Sequence, residues 1–516
     1  MKKHLLHIFF VLLQSGICTI AAQAPVLLRD IFPGAANGFN KSYQPNPIVG
    51  FKGKAYFAAD DGIHGLELWQ SDGTPSGTIL LKDINPDSIG SDPRNLTVYN
   101  GAVYFTAATK SHGKELWRTD GTEAGTVMVK DIRVGVIGSD IEAISAIGGK
   151  LYFGADNSTG ANALWQSDGT ESGTVFITKF NGRIPRKFVE FNGSFYFVAT
   201  ANTPIDAFCK TDGTAAGTTV IKNIWNMYEL ISTGSYLLLT QGGAEIQRSD
   251  GTFPGTVVIH SKGVSTEFTP YNGKFLFDSW GVPWETDGTA AGTRIIADQV
   301  LGTATGADGK TLFKSLLYLN AKEKSGGWGE ELYKYDGNAF TMVKDIQTGA
   351  KGSNPRFITN VDEFLVFNAE GEGTGAELWK SDGSEEGTKL LADIEPGSAG
   401  SDPESFTNID GNLFFIASTK LTGRELYKID INTATADLPN FKKIVEVWPN
   451  PITNSLNVEG GGDPASIQLT ITDLMGRTIF QQQGTEPVDL SAVDSGLYIL
   501  KVSDGRRVQI EKIVKQ

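Results

Sequence analysis

One tripeptide, Asp-Gly-Thr, returns through most of the chain at nearly even intervals, and it limits the fold more than any other feature. Asp72-Gly73-Thr74, Asp120-Gly121-Thr122 and Asp168-Gly169-Thr170 lie 48 residues apart, after Glu67-Leu68-Trp69, Glu115-Leu116-Trp117 and Leu164-Trp165 respectively. Further copies stand at Asp212-Gly213-Thr214, Asp250-Gly251-Thr252, Asp287-Gly288-Thr289, Asp336-Gly337 and Asp382-Gly383-Ser384, and a ninth unit runs from Glu425-Leu426-Tyr427 to Asp430. Self-similarity of this period means one supersecondary unit stacked on copies of itself, because no single unit can bury its apolar faces alone.

Within a unit, Asn95 to Tyr99, Val103 to Ala107, Glu115 to Thr119 and Val127 to Ile132 are β-like runs. Asn100-Gly101 joins the first two, and such a pair favours a two-residue hairpin whose central positions both need positive φ. Four-stranded units of this length belong to propeller blades. The fold class expected is all-β: a single large β-propeller of about nine four-stranded blades, then a small immunoglobulin-like β-sandwich. Eight blades stay open as a count, because the spacing contracts to 38 and 37 residues between Asp212 and Asp287.

The ninth unit lacks a fourth strand, whereas residues 27–31 carry the fourth-strand pattern without the other three. Pairing the two fragments closes a propeller over residues 25–431 and hides two sheet edges. Four units combine a glutamate with a cation in the following strand: Glu67 with Lys82, Glu115 with Lys130, Glu331 with Lys344, and Glu425 with Arg29. These are expected to be cross-strand ion pairs, although Ala207 keeps Lys222 and Glu377 faces Ala392.

Composition narrows the function. A net charge of −14 and a sequence pI near 5.0 argue against nucleic acid, whose binders need a basic stripe. Residues 1–22 have the basic start, short apolar run and small residues of a cleaved signal peptide. Cleavage leaves Cys209 as the sole cysteine, so no internal disulfide can form. No later apolar run approaches the ~20 residues a membrane-spanning helix needs, so the mature chain has no transmembrane segment.

Chemistry-bearing motifs are few. Asp83-Ile84-Asn85-Pro86-Asp87-Ser88 has the first ligands of a calcium loop without the glycine at its sixth place, so turn formation is the main reading and calcium the lesser one. Otherwise no cofactor or metal is expected. His64 and His112 repeat on adjacent units, which suits structure better than catalysis. Trp69, Trp117, Trp165, Trp284 and Trp379 share one repeat position and are read as packing elements, leaving the unmatched Trp225, Trp280 and Trp328 as candidate ligand-face aromatics.

Glu67-Leu68-Trp69 through Asp72-Gly73-Thr74, with its echoes, resembles the ELWxxDGT repeat proteins of Bacteroidetes. Beyond a linker at 432–444 the repeat is lost, and alternating runs such as Gln468 to Thr472 and Tyr498 to Val502 indicate the small sandwich. Pro449-Asn450-Pro451, Asp473, Gly476, Arg477, Gly496, Tyr498, Lys512 and Lys515 give residues 445–516 a resemblance to the type A C-terminal sorting domain of the type IX secretion system. That resemblance implies the type IX machinery as partner, passage across the outer membrane, and then removal of the domain with attachment to surface lipopolysaccharide or release. The leading expectation is a non-enzymatic binding or adhesion module that takes a glycan or protein through loops on one ring face. The runner-up is a secreted polysaccharide hydrolase or lyase with its site at the channel mouth, and a third reading is a structural surface-layer component.

Overall fold

The structure is a computed structural model. It describes residues 24–515 apart from 40–47, 158–161, 181, 183, 203–204, 244, 264–267, 280–281, 297–299, 303–308, 324–326, 328, 432–444, 449–451, 461–463, 473–477, 495 and 504–507. The signal-peptide and linker assignments, 1–22 and 432–444, therefore lie outside the described residues. Two compact units divide the chain, one up to Ala434 and one from Thr435.

Among the described residues the first unit holds nine antiparallel sheets. Blade 1 comprises Val49–Phe51, Lys54–Asp60, Leu66–Ser71 and Ile79–Lys82, and blade 2 comprises Arg94–Tyr99, Ala102–Thr109, Gly113–Thr119 and Val127–Lys130, each a simple meander. The first hairpin of blade 2 pairs Tyr99 with Ala102, with φ of 42° at Asn100 and 77° at Gly101, so this turn is the tight form that matches strand twist. Blades 3 to 8 repeat the plan, including the closely spaced units. Blade 7 is the exception: Val300–Gly302 and Lys310–Phe313 both pair with Leu316–Glu323.

Each sheet packs on the next. Phe51, Tyr56 and Leu68 of blade 1 share a core with Val103, Phe105 and Trp117 of blade 2, and comparable cores follow around the ring. Ile409, Phe414 and Ile416 of blade 9 then meet Ala55, Phe57 and Trp69 of blade 1, so the succession returns to its start. This closed succession makes the unit a nine-bladed β-propeller. Blade 9 is completed from the other end of the chain, Val26–Arg29 pairing antiparallel with Gly423–Asp430. Full burial of one such aromatic is worth roughly 1.5–3 kcal/mol, which gives every seam several strong contributors without any disulfide.

The second unit has a three-stranded sheet (Val445–Trp448, Ser455–Gly460, Val488–Asp489) and a four-stranded one (Thr478–Gln483, Gln468–Thr472, Gly496–Ser503, Val508–Lys515). Leu456, Val458 and Val488 from one sheet and Leu469, Ile471, Leu500, Val502 and Ile513 from the other form a single core.

Candidate functional site

The repeated aspartates are consumed locally. Asp72 Oδ1 accepts from the Thr74 amide at 2.9 Å and the Thr74 hydroxyl at 2.7 Å, and that hydroxyl accepts from Gly77 N at 2.9 Å. Thr78 closes the loop by donating to Thr74 O at 2.8 Å. The same pattern recurs at Asp120, Asp168, Asp212, Asp250, Asp287 and, with serine, Asp382. The threonine hydroxyl holds the Asp72 carboxyl below the usual carboxylate range.

The glycine after each aspartate receives the preceding blade. At Gly121 (φ 98°) an added Cβ would lie 2.6 Å from the Tyr56 hydroxyl, and at Gly213 (φ 89°) 2.8 Å from that of Tyr152. Only a residue without a Cβ fits both the backbone and the neighbour.

The glutamates are not half of an ion pair, which corrects the sequence expectation. Glu67 is buried, and its carboxylate accepts from Ile84 N at 3.2 Å, Asn85 N at 3.0 Å and the Ser91 hydroxyl at 2.5 Å. Glu115, Glu331, Glu377 and Glu425 hold the equivalent backbone amides, Glu425 those of Ile31, Phe32 and Gly38. Burial pushes Glu67 and Glu115 up to about 7 and Glu425 up to about 8 against these hydrogen bonds. Every one of these carboxylates therefore cradles the connector between an outer strand and the next inner strand.

The cations reach forward instead. Lys82 donates to Thr126 O of the next blade at 2.8 Å, Lys222 to Thr256 O at 3.1 Å, Lys344 to Thr388 O at 2.8 Å, and Arg29 to Thr78 O at 2.9 Å, while Lys130 reaches Glu171 O at 3.3 Å. Arg29 also lies 5.3 Å from the Trp69 ring centroid, a cation–π contact across the closing seam. The Glu67 oxygens are turned to the connector amides and the Ser91 hydroxyl, and the cations find their acceptors among backbone carbonyls of the next blade.

With those groups spent, the loops of one ring face are what remains. The second-to-third-strand turns and the blade-to-blade connectors touch one another on this face: Ser91 N donates to Leu66 O at 3.0 Å, and Ser139 N to Lys114 O at 2.9 Å. Large apolar side chains project here from blades 9 to 3, namely Leu421, Ile63, Ile89, Val134, Val136 and Ile137, each at least 71% exposed. Sequence reading missed them, although aligning the repeats would have exposed the anomaly. The position before the connector glycine is Ile89 and Ile137 here but Lys351 and Ala399 elsewhere.

Of the ligand-face aromatics, Trp225 ends the strand Thr219–Trp225 rather than lying in a loop; it is half-exposed beside Gly242. Trp280 and Trp328 lie outside the described residues, as do Pro449, Asn450, Pro451, Asp473, Gly476 and Arg477. Gly496 pairs with Lys515, and Ile499 with Lys512, on the two last strands. The Tyr498 hydroxyl donates to Asp494 O at 2.9 Å, and Ile452, just after the Pro-Asn-Pro segment, donates its amide to Val514 O at 2.7 Å.

Asn85 and Asp87 act as turn formers, Asn85 Nδ2 donating to Gly90 O and Asp87 Oδ1 accepting from Ile89 N. Among the described residues no group of three or more His, Cys, Asp or Glu is placed to hold a metal ion. His64 is held by Asp61 at 2.8 Å, which raises its pKa. The repeat tryptophans Trp69, Trp117, Trp165 and Trp379 lie buried in the inter-blade cores. No described helix is long and apolar enough to cross a membrane.

No curated protein matches the chain. Solved structures similar to it include BamB from Moraxella catarrhalis (9% identity, 66% of this chain and 94% of that one, TM-score 0.38) and the β-propeller domain of the Trilobed protease from Pyrococcus furiosus (14%, 66% and 95%, TM-score 0.34). The computationally designed Ika8 protein is another (11%, 66% and 96%, TM-score 0.39). Residues 446–516 match the family model of the secretion system C-terminal sorting domain. A tail of this type IX kind indicates partnership with the type IX secretion machinery and export across the outer membrane to the cell surface or extracellular space, so the chain is a secreted or cell-surface β-propeller protein.

Proposed function

We propose that the protein is a non-enzymatic adhesion module that binds its target through the loops of the connector-bearing ring face. One observation carries this reading: the repeated carboxylates and cations are engaged in turns, connectors and seams, while the exposed apolar side chains gather on one face. Nothing comparable to a nucleophile, base and orienting group converges among the described residues. In this reading residues 1–22 lead the chain out of the cytoplasm, and the propeller is an ELWxxDGT-repeat scaffold. After export the tail is removed, with attachment to surface lipopolysaccharide or release.

The test is incubation of the full chain with a polysaccharide panel, following both retention and soluble products. Retention without fragments fits the reading. Release of oligosaccharides would sink it in favour of a hydrolase or lyase.

A further inference from the structure

Between blades 4 and 5 the connector-bearing face loses its usual cover. Ala207 stands where Glu67 cradles a connector in blade 1, and the outer strand Thr219–Trp225 runs to within one residue of the next inner strand, Met227–Ser232. Asp206 takes over the cradle's task, accepting from Met227 N at 2.7 Å, and Asn226 makes the turn with a φ of 51°. The blade 1 ladder stops at Leu68 opposite Lys82, whereas blade 4 continues past Phe208 opposite Lys222 to Ile205 opposite Trp225. Trp225 therefore stands at an uncovered strand end, 51% exposed, with its partner Ile205 exposed beside it.

The groups around this indole select its occupant. The Cε3–Cζ3 edge of the ring packs over Gly242, where a Cβ would lie 2.7 and 2.6 Å from those atoms. With that edge seated, exposure of half the residue requires an open ring face. Tyr228 is 43% exposed, and its hydroxyl accepts from Asn226 Nδ2 at 3.0 Å, so it keeps its own proton to donate. The charges nearest in the fold are engaged: Asp206 with Arg186 at 3.2 Å and Glu229 with Lys187 at 3.2 Å, while Glu245 and Gln241 both accept from Gln247 Nε2. What faces outward is an aromatic platform with a hydroxyl and a carboxamide beside it, a set of apolar contact and a few placed polar groups that suits a small neutral ligand. A pyranose ring has the matching chemistry, an apolar C–H face for the indole and hydroxyls at its rim for Tyr228 and Asn226. A polyanion meets no free cation here, in a chain whose net charge is −14. A stable protein partner needs about 800 Å² on each side, more than two half-exposed aromatic side chains of about 150–250 Å² each supply.

We propose that the junction of blades 4 and 5 binds a neutral sugar ring, stacked on Trp225 and hydrogen-bonded by Tyr228 and Asn226. The inference rests on the binding reading above and names its ligand class.

Affinity electrophoresis tests it, using the chain from Gln23 onward, without the apolar leader, in gels holding starch, xylan, galactomannan or mixed-linkage β-glucan, with alginate as the polyanion. At least one neutral polysaccharide should retard the wild type. Trp225→Ala should weaken that binding at least about tenfold, Trp225→Phe should recover part of the loss by restoring an aromatic face, and Tyr228→Phe should weaken binding less than Trp225→Ala. Phe253→Ala, in an Asp-Gly-Thr loop of the opposite face, should leave it unchanged. All three residues are exposed, so the variants should fold, and matched circular dichroism and melting curves check this. A wild type retarded by alginate alone or by no polysaccharide, or a Trp225→Ala variant retarded like the wild type, would overturn the proposal. Undiminished binding by Trp225→Ala without polysaccharide fragments removes this inference alone, whereas fragments remove the non-enzymatic reading.

Discussion

Replacing Glu67 with alanine removes the acceptor that holds the connector from blade 1 to 2. Ile84 N and Asn85 N, at 3.2 and 3.0 Å, lose their partner, and the Ser91 hydroxyl must turn elsewhere. A stranded buried donor costs about 1–3 kcal/mol. Serine can rotate and the loop can relax toward water, so we expect a net cost of about 2–4 kcal/mol at pH 6. At that pH the carboxyl, pushed up to about 7 by burial, is mostly neutral, so relief of a buried charge adds little. Since about 1.4 kcal/mol is tenfold in an equilibrium, amide exchange in peptides covering residues 83–92 should accelerate about thirty- to several-hundred-fold. The wild type contains a control: blade 3 has Ala163 at the glutamate position, so the connector after Lys179 should already exchange faster than the one after Lys82. Hydrogen-exchange mass spectrometry reads both. Unchanged protection of residues 83–92 in Glu67→Ala would refute the cradle.

Four further outcomes follow from the same geometry. A double-mutant cycle on Glu67 and Lys82 should give a coupling below about 0.5 kcal/mol in urea unfolding, because the two side chains serve different partners; a coupling above about 1 kcal/mol would restore the ion pair. Glu67, Glu115 and Glu425 have folded pKa values raised above 4.5, so the folded state keeps protons that the unfolded state releases. Their stabilisation is complete below about 4.5 and is lost as pH rises through about 7 to 8; the melting temperature should be higher at pH 6 than at pH 9, and the reverse order would contradict this. Gly101→Ala carries only the positive-φ cost of about 1 kcal/mol, since nothing lies within 4 Å. Gly121→Ala also drives a Cβ to 2.6 Å from the Tyr56 hydroxyl and should cost at least 1 kcal/mol more; equal melting curves would remove the cross-blade contact. Cys209, fully buried and pushed up to about 12, should resist a thiol reagent until the chain unfolds, and rapid labelling of native protein would show the seam to be open.

The scaffold was legible because its signals are local. Asn100-Gly101 and Asp72-Gly73-Thr74 specify their turns through residues close in sequence, and the period counts the sheets. The contraction between Asp212 and Asp287 changed loop lengths but not the number of strands in those blades. The partners of Glu67 and Lys82 were not legible, since adjacency of opposite charges in sequence says nothing about backbone donors. An amide at Ile84 and a carbonyl at Thr126 carry no side-chain signature. The exposed apolar side chains were hidden for a related reason. Leu421, Ile63 and Ile137 are distant in the chain and look like ordinary core residues until the ring places them on one exposed face.

The claim that one ring face makes the contacts while the repeat residues hold the ring is tested most directly by an exchange footprint of the full chain on isolated outer-membrane envelopes. Slowed exchange should fall in the segments around 61–66, 86–92, 133–139, 225–229 and 419–424. Protection confined to the Asp-Gly-Thr loops of the opposite face, or to no loop at all on chain that remains bound, would contradict the account.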